Sequence, residues 1–480
     1  MPTGRSDELA ERLQGVMAGA TGDAEVRVEG LHRLSGGASR ETWAFDLVHP
    51  GGTNEPMILR RDPPGAPRAG GMGVEAAVVR AAGAAGVPVP RVVTASDDVG
   101  LIGSAFMVVE RIDGETIPRR ILREPDLAAA RPRLAEQCGR ILAAIHSVRP
   151  ADVPGLERQD ALAQYRETLD QIGWPSPTFE LAFRWLEQNR PAPADGAGAS
   201  VVHGDFRNGN LIVGPDGVRA VLDWEMAHLG DPMEDLAWLC VKSWRFGVDL
   251  PVGGFGTYEQ LIDSYEAAGG RPVDRDALQW WEVLGNLKWG VICMMQAWAH
   301  TSGAVRSVEL AAIGRRVCET EWDLLDLLSP PGDYETDAVH EEVTVPPEVT
   351  GPREVTVDGP VDVHGVPDAA GLVEAVREFL ERDVMAATEG RIRFHARVAV
   401  NVLGMVEREL SLGPVQRAAH AAGLAALGVG SEAELAAAIR AGRMDGRRDE
   451  VASRLRRTVR AKLEVAHPSY LEPPAPPARS

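Results

Sequence analysis

The segment VVHGDFRNGNLIVGPDGVRAVLDWE, residues 201–225, gathers residue types that can do chemistry at a useful spacing. Val201 and Val202 deliver His203 and Asp205 to a turn at Gly204, and Asn210 follows Asp205 by five positions. A Leu-Ile-Val strand, a Pro-Asp-Gly turn and an Ala-Val-Leu strand then lead to Asp223. Two antiparallel strands joined by that turn bring Asp205, Asn210 and Asp223 to one end of a ribbon. Such a grouping suits phosphoryl transfer. One carboxylate accepts or orients a hydroxyl proton, while a second carboxylate and an amide oxygen hold a hard divalent cation on the phosphates. Alone, His-Gly-Asp reads first as a solvated turn. Asp223, eighteen residues after Asp205 and flanked by apolar strands, weighs against that reading.

The Asp-to-Asn spacing equals that of the protein-kinase catalytic loop, H-R-D-L-x-x-x-N. With HGDFRNGNL (203–211) and LDWEMAHLGDPMEDLAW (222–238), the chain resembles the aminoglycoside phosphotransferase (choline/homoserine kinase-like) family of the protein-kinase-like fold. It is most similar to the kinase-like domains fused to, or encoded beside, certain acyl-CoA dehydrogenases, over roughly residues 25–328. The resemblance implies ATP and Mg²⁺ as cofactors, with Asp205 as catalytic base, Asn210 and Asp223 as metal ligands and His203 as a loop scaffold. Arg207 falls two after the base, where protein kinases acting on Ser/Thr carry a cation that can stabilise the γ-phosphoryl group. Its other reading is an outward pair with a surface carboxylate.

Asp231-Pro232-Met233-Glu234 reads as a helix start, with Asp231 and Glu234 as caps rather than catalysts. Asp235 is expected to buttress the catalytic loop, and Glu225 to reach Mg²⁺ through water. Only twelve residues separate Asp223 from Asp235, too few for a long activation loop, which favours a small-molecule kinase over a protein kinase.

The elements that must position these groups begin with strand patterns at Glu25–Leu34, Glu41–Val48 and Pro56–Arg61. A helix follows over Gly73–Ala85, stopped by Gly86 and Pro88, then strands at Arg91–Ala95 and Phe106–Ile112. The turn Leu34–Ser39 offers Ser35, Gly36 and Gly37 to nucleotide phosphates, although it lacks full G-x-G-x-x-G spacing and is also a plain hairpin turn. Kinases place a lysine in V-A-I-K, yet the first lysine here is Lys242. The corresponding piece is Met57-Ile58-Leu59-Arg60, so Arg60 takes that place, with Arg61 on the opposite strand face and Glu75 as candidate partner. The resemblance puts adenine against backbone groups near Glu110 and Ile112.

The fold class expected is α+β: a two-lobed protein-kinase-like fold with an antiparallel-sheet N-lobe and a mainly helical C-lobe, then a small all-α bundle. The expected domains are 1–113 (nucleotide lobe), 114–328 (catalytic and substrate lobe), 329–366 (acidic Pro-rich linker), 367–466 (helical bundle) and 467–480 (tail). In the bundle Leu372, Val376, Phe379, Leu380 and Val384 share one helical face, and Val451, Leu455, Val459 and Leu463 repeat at i+4. It resembles an uncharacterised helical domain that sometimes follows such kinases. Its basic helices (Arg440 to Lys462) read as a solvated face, less readily as a nucleic-acid surface or a dock for the linker or a CoA phosphate. His146 reads as a packed helix end. Trp280, Trp281, Trp289 and Trp298 read as core or as the wall of an acceptor pocket whose only nearby acid is Glu282, which suits an acyl chain better than a cationic acceptor.

Composition agrees. With 50 basic against 70 acidic residues, the net charge of −20 disfavours nucleic acid and anionic membranes. The apolar run Trp289–Ala299 is too short to span a bilayer, and the first residues lack a signal-peptide core. Four scattered cysteines suit a reducing, cytoplasmic setting. The expected function is an ATP-dependent kinase acting on a small-molecule hydroxyl, that of a hydroxyacyl-CoA being one candidate. The alternatives are a pseudokinase or binding module, or an aminoglycoside, sugar or amino-alcohol kinase. The sequence does not set the oligomeric state.

Overall fold

The computed structural model describes residues 3–34, 40–65, 71–191, 199–330 and 367–472. Ser35, Gly36 and Gly37 lie outside them, as do 331–366 of the expected linker and 473–480 of the tail. The described residues pack as two compact units: residues up to 160 with 191–285, and 161–190 with 286–472.

In the first unit, β1 (Arg27–Arg33), β2 (Glu41–Val48), β3 (Asn54–Arg61), β4 (Val92–Ser96) and β5 (Phe106–Glu110) form one antiparallel sheet in the order β1-β2-β3-β5-β4. Strand alternation sorts its side chains. Phe45, Leu47, Met57, Leu59, Phe106 and Val108 meet Leu9, Leu13 and Met17 of α1 (Thr3–Thr21) on one face. On the other, Met107 and Val109 meet Met72 and Ala76 of α2 (Gly71–Ala84). The sequence reading anticipated α2 but passed over α1, whose Leu9-Leu13-Met17 stripe is the i+4 signal it could have used. Asp97 caps α2, accepting from Met72 N–H at 2.6 Å, and Gly86 ends it at φ 92°.

The 201–225 segment folds as two small ribbons. β6 (Ser200–Val202) pairs with β9 (His228–Gly230), and β7 (Leu211–Gly214) pairs with β8 (Gly217–Val221) across the expected turn. Val201, Phe206, Leu211, Val213 and Val221 bury against Leu134, Cys138 and Leu142 of the helix Arg131–Ser147. That helix approaches Tyr258–Ala267 so closely that a Cβ on Gly139 would lie 2.9 Å from Tyr265 N.

The second unit is helical. Leu181 of Pro177–Gln188 and Cys318 and Leu325 of Val317–Leu328 share a core with Leu435, Ile439, Val451, Leu455, Val459 and Leu463. The packing therefore cuts across the expected boundaries at 328 and 367. The 177–188 and 317–328 helices bury their apolar stripes on the C-terminal helices rather than forming a unit with 199–285. The Val451 to Leu463 stripe is buried as expected, but Leu372, Val376 and Phe379 are each more than half exposed, because Ala369–Phe379 packs chiefly along Gly390–Ala426. The basic helices are not simply solvated: Arg440 pairs with Asp170, Arg456 with Asp326 and Lys462 with Glu321.

Candidate active site

Asp235, wholly buried on the helix Pro232–Cys240, fixes the catalytic-type turn. Its carboxylate accepts the backbone N–H groups of His203 and Gly204 at 2.7 and 2.9 Å, and His146 Nε2 at 3.1 Å. A carboxylate only accepts, so Nε2 of His146 carries a proton, and Nδ1 is hydrogen-bonded to the Tyr265 hydroxyl at 3.0 Å. Burial pushes the Asp235 carboxyl up, but the hydrogen bonds it accepts from the His146 ring and the His203 backbone help to hold it below the usual range. The expectations that Asp235 buttresses the loop and that His146 is a packed helix-end residue match this geometry.

His203 is buried between Phe206 and Trp224, donates from Nε2 to Leu222 O at 2.9 Å and accepts from Asp205 N–H at 3.2 Å. Burial pushes its pKa down, so it is a neutral strut. Asp205 projects beyond it and carries three side-chain donors. Its Oδ1 accepts from Arg207 Nε at 3.0 Å and Trp238 Nε1 at 2.8 Å; its Oδ2 accepts from Asn210 Nδ2 at 2.6 Å. Arg207 thus faces Asp205 rather than a surface acid, and its guanidinium lies 4.6 Å from the Trp244 ring centre.

The β7–β8 ribbon brings in the third group. Leu222 N–H donates to Asn210 O at 2.8 Å, clasping the strand ends, and Asp223 follows at once. Asp223 adopts the left-handed conformation, φ 63° and ψ 60°, shared among non-glycine described residues only with Phe246 at φ 48°. Arg60 of β3 reaches it: Nη2 lies 2.5 Å from Asp223 Oδ1 and Nη1 2.8 Å from Glu75 Oε1. Arg61, on the opposite face, pairs with Glu41 at 2.8 Å. Alternation separates the two arginines, and the one at the motif position, Arg60, is the one that faces Asp223 and Glu75.

Asp231 caps its helix by accepting from Met233 N–H at 3.0 Å, and Glu234 accepts from His228 Nε2 at 3.1 Å. Glu110 ends β5 with its N–H committed to Arg91 O at 3.1 Å; Ile112 lies just beyond. Trp280 is buried and edge-on to Trp281 in the first unit, whereas Trp289 and the half-exposed Trp298 belong to the second. Glu282 accepts from the Tyr258 hydroxyl at 2.8 Å and Arg245 at 3.2 Å.

The profile of the phosphotransferase enzyme family (APH) matches residues 30–281, just over half of the chain. The chain belongs to the phosphotransferase enzyme family. Relatives of this chain include acyl-CoA dehydrogenase family member 10 of Mus musculus, 30% identical over 255 residues, 49% of this chain and 22% of that protein. Acyl-CoA dehydrogenase family member 11 of Gallus gallus is 30% identical over 264 residues, 49% of this chain and 32% of that protein. The phosphotransferase thus spans at most about a third of these relatives. A solved Ralstonia eutropha structure assigned to the aminoglycoside phosphotransferases shares the kinase-like fold, at TM-score 0.52 and 24% identity over 65% of this chain and 97% of that one. A second profile, for a domain of unknown function (DUF6285), matches residues 386–470. Among the described residues no helix is long and apolar enough to cross a membrane.

Sequence reasoning missed Trp238 and Arg40. Trp238 sits three residues after Asp235, on the same helical face, and that spacing was available. Arg40 gave no such signal, because its partners come from α2 and from the turn after Asp223.

Proposed function

We propose that this phosphotransferase is an ATP-dependent small-molecule kinase that moves the γ-phosphoryl group of ATP onto a substrate hydroxyl. The observation that carries the reading is the gathering of Asp205, Asn210 and Asp223 at one end of the ribbon, with Arg60 linking Asp223 to Glu75. In this reading Asp205 is the base. Its carboxylate is held by Arg207, Trp238 and Asn210, so it meets the acceptor hydroxyl in one orientation. Arg207 stands where it can offset charge on the transferring group. His203 supports the turn, as its buried hydrogen bonds indicate.

The residues present fit a magnesium ion. Nδ2 of Asn210 is spent on Asp205, which assigns Oδ1 as its cation-facing atom, and the Asp223 side chain is 47% exposed. Two protein oxygens suit Mg²⁺, which takes the rest of its octahedron from phosphates and water. When bound, the ion offsets charge on the phosphates. Arg60 serves the phosphates, helped by Glu75, and the backbone of Ser35, Gly36 and Gly37 is proposed to cover them. Glu110, its N–H already used, offers its carbonyl to adenine, and Ile112 its backbone.

For the acceptor we propose a hydroxyacyl-CoA. The acyl-CoA dehydrogenase names of the relatives support this class. So does Glu282, whose bonds to Tyr258 and Arg245 leave it a poor receiver for a polycationic aminoglycoside. A cytoplasmic location belongs to the same proposal, supported by four buried, unbridged cysteines. A binding module without turnover is the second reading. It is favoured by the Arg60–Asp223 pair, in which an arginine replaces the usual lysine and engages a cation ligand. The test is ADP release from Mg²⁺-ATP over 3- and 4-hydroxyacyl-CoA, aminoglycosides, choline and homoserine, with Asp205→Ala in parallel. Release with a hydroxyacyl-CoA, lost in the variant, is expected. Release with an aminoglycoside instead would refute the acceptor class, and none with any acceptor would favour the binding module.

A further inference from the structure

Arg40 opens β2, and its side chain is only 5% exposed. It pairs with Glu75 through Oε2, while Arg60 takes Oε1. Its Nε lies 3.1 Å from Asp62 Oδ1 and 3.8 Å from Glu225 Oε2. The contacts close a ring. Asp223 binds Arg60, Arg60 binds Glu75, Glu75 binds Arg40, Arg40 faces Glu225, and Glu225 returns to Asp223 through one residue of backbone. The ring joins β2, β3, α2 and the turn after β8, four pieces distant in sequence.

We infer that Arg40 is a positioning residue for the cation ligand Asp223, acting through Glu75 and Glu225; the inference rests on the kinase reading. Asp223 has a left-handed backbone, which few L-residues adopt and which its surroundings must support. The Glu225–Arg40 contact holds the turn from one side, and Arg60 holds the Asp223 carboxylate from the other. Only a planar fork can face Asp62, Glu75 and Glu225 together, which accounts for arginine rather than lysine at position 40. Burial works against the Arg40 charge, but these three carboxylates outweigh it and raise its pKa. Arg40 also frees Arg60 for its task. With Oε2 held by Arg40, Glu75 keeps a cationic partner when Arg60 turns toward a phosphate.

The test is ADP affinity by titration calorimetry on the full chain, with Mg²⁺ and with EDTA, for wild type, R40Q and R40K. The readout is the Mg²⁺ enhancement, the ratio of the two affinities, which cancels any general loss of folded protein. In R40Q the enhancement is expected to fall about tenfold, the low end for a charge-assisted hydrogen bond, while metal-free ADP affinity changes about threefold or less. R40K keeps a charge for folding but cannot span three carboxylates, and should lose about threefold. An unchanged enhancement in both variants overturns the inference. A wild-type chain that binds no ADP under either condition overturns the kinase reading itself, and Arg40's role with it.

Discussion

Guanidinium groups are used differently in the two units. At the candidate site one guanidinium serves several carboxylates: Arg60 serves Glu75 and Asp223, and Arg40 faces Glu75, Asp62 and Glu225. Two exposed forks of the second unit each close on a single acid. Arg440 meets Asp170 at 2.7 and 2.8 Å, and Arg184 meets Asp445 at 2.6 and 3.2 Å. Exposure differs too: the Arg40 and Glu75 side chains are 5% and 3% exposed, those of Arg440 and Asp170 52% and 41%. A closed, solvated fork fastens two helices and little more. A shared, buried one makes each partner's position depend on the others, so its members act as a unit.

The largest expected effect is on chemistry. Asp205→Ala should lower turnover by about 10²–10⁴-fold, with thermal melting little changed because Asp205 is partly exposed. Retained turnover would remove the base from the site. Next is the coupling within the ring. Arg60→Gln and Glu75→Gln, alone and together, should show about 1–2 kcal/mol of non-additivity in ADP affinity, whereas simple addition would break the contrast between the units. Trp238→Phe removes one donor from Asp205 and should cost about three- to tenfold in turnover, with ADP affinity unaltered. A loss confined to ADP affinity would detach Trp238 from the base.

His228 supplies a pH test in the first unit. Burial pushes its pKa down, but the Glu234 hydrogen bond and charge outweigh it and raise it above 6.5. The pair's stability is therefore complete below about pH 6.5 and fades as pH rises through the raised value. His228→Asn should cost more stability near about pH 6 than near about pH 9. An equal cost in denaturant melts at both would contradict the assignment. The smallest effect belongs to the second unit. Arg440→Ala and Asp170→Ala should each cost about 1 kcal/mol or less and couple by under about 0.5 kcal/mol. Strong coupling there would show that exposure, not sharing, had been misjudged.

Much of this was legible in the sequence because it is local. The five strands were placed within about two residues at most ends, since alternation and Gly-rich turns are short-range signals. The same period put Arg60 and Arg61 on opposite faces, and turn chemistry brought Asn210 next to Asp223. What escaped is what depends on the third dimension. Arg40 acquires its meaning from α2, the end of β3 and the turn at 223–226. The assignment of the 177–188 and 317–328 helices to the second unit follows from which stripes they bury, and an amphipathic helix does not announce its partner. The Leu372–Val376–Phe379 face is the converse case, a good helical period that stays largely in water.

The left-handed backbone of Asp223 has a practical consequence. Asn is among the few non-glycine side chains that tolerate that conformation, whereas Ala or a β-branched residue is strained by it. Asp223→Asn is thus the substitution that keeps the turn's shape while replacing a negative ligand with a neutral one. Such a chain would be a quiet bait: folded, able to admit an acceptor and slow to let it react. Immobilised and washed with a metabolite extract, it offers a route to the acceptor that needs no prior guess at a substrate.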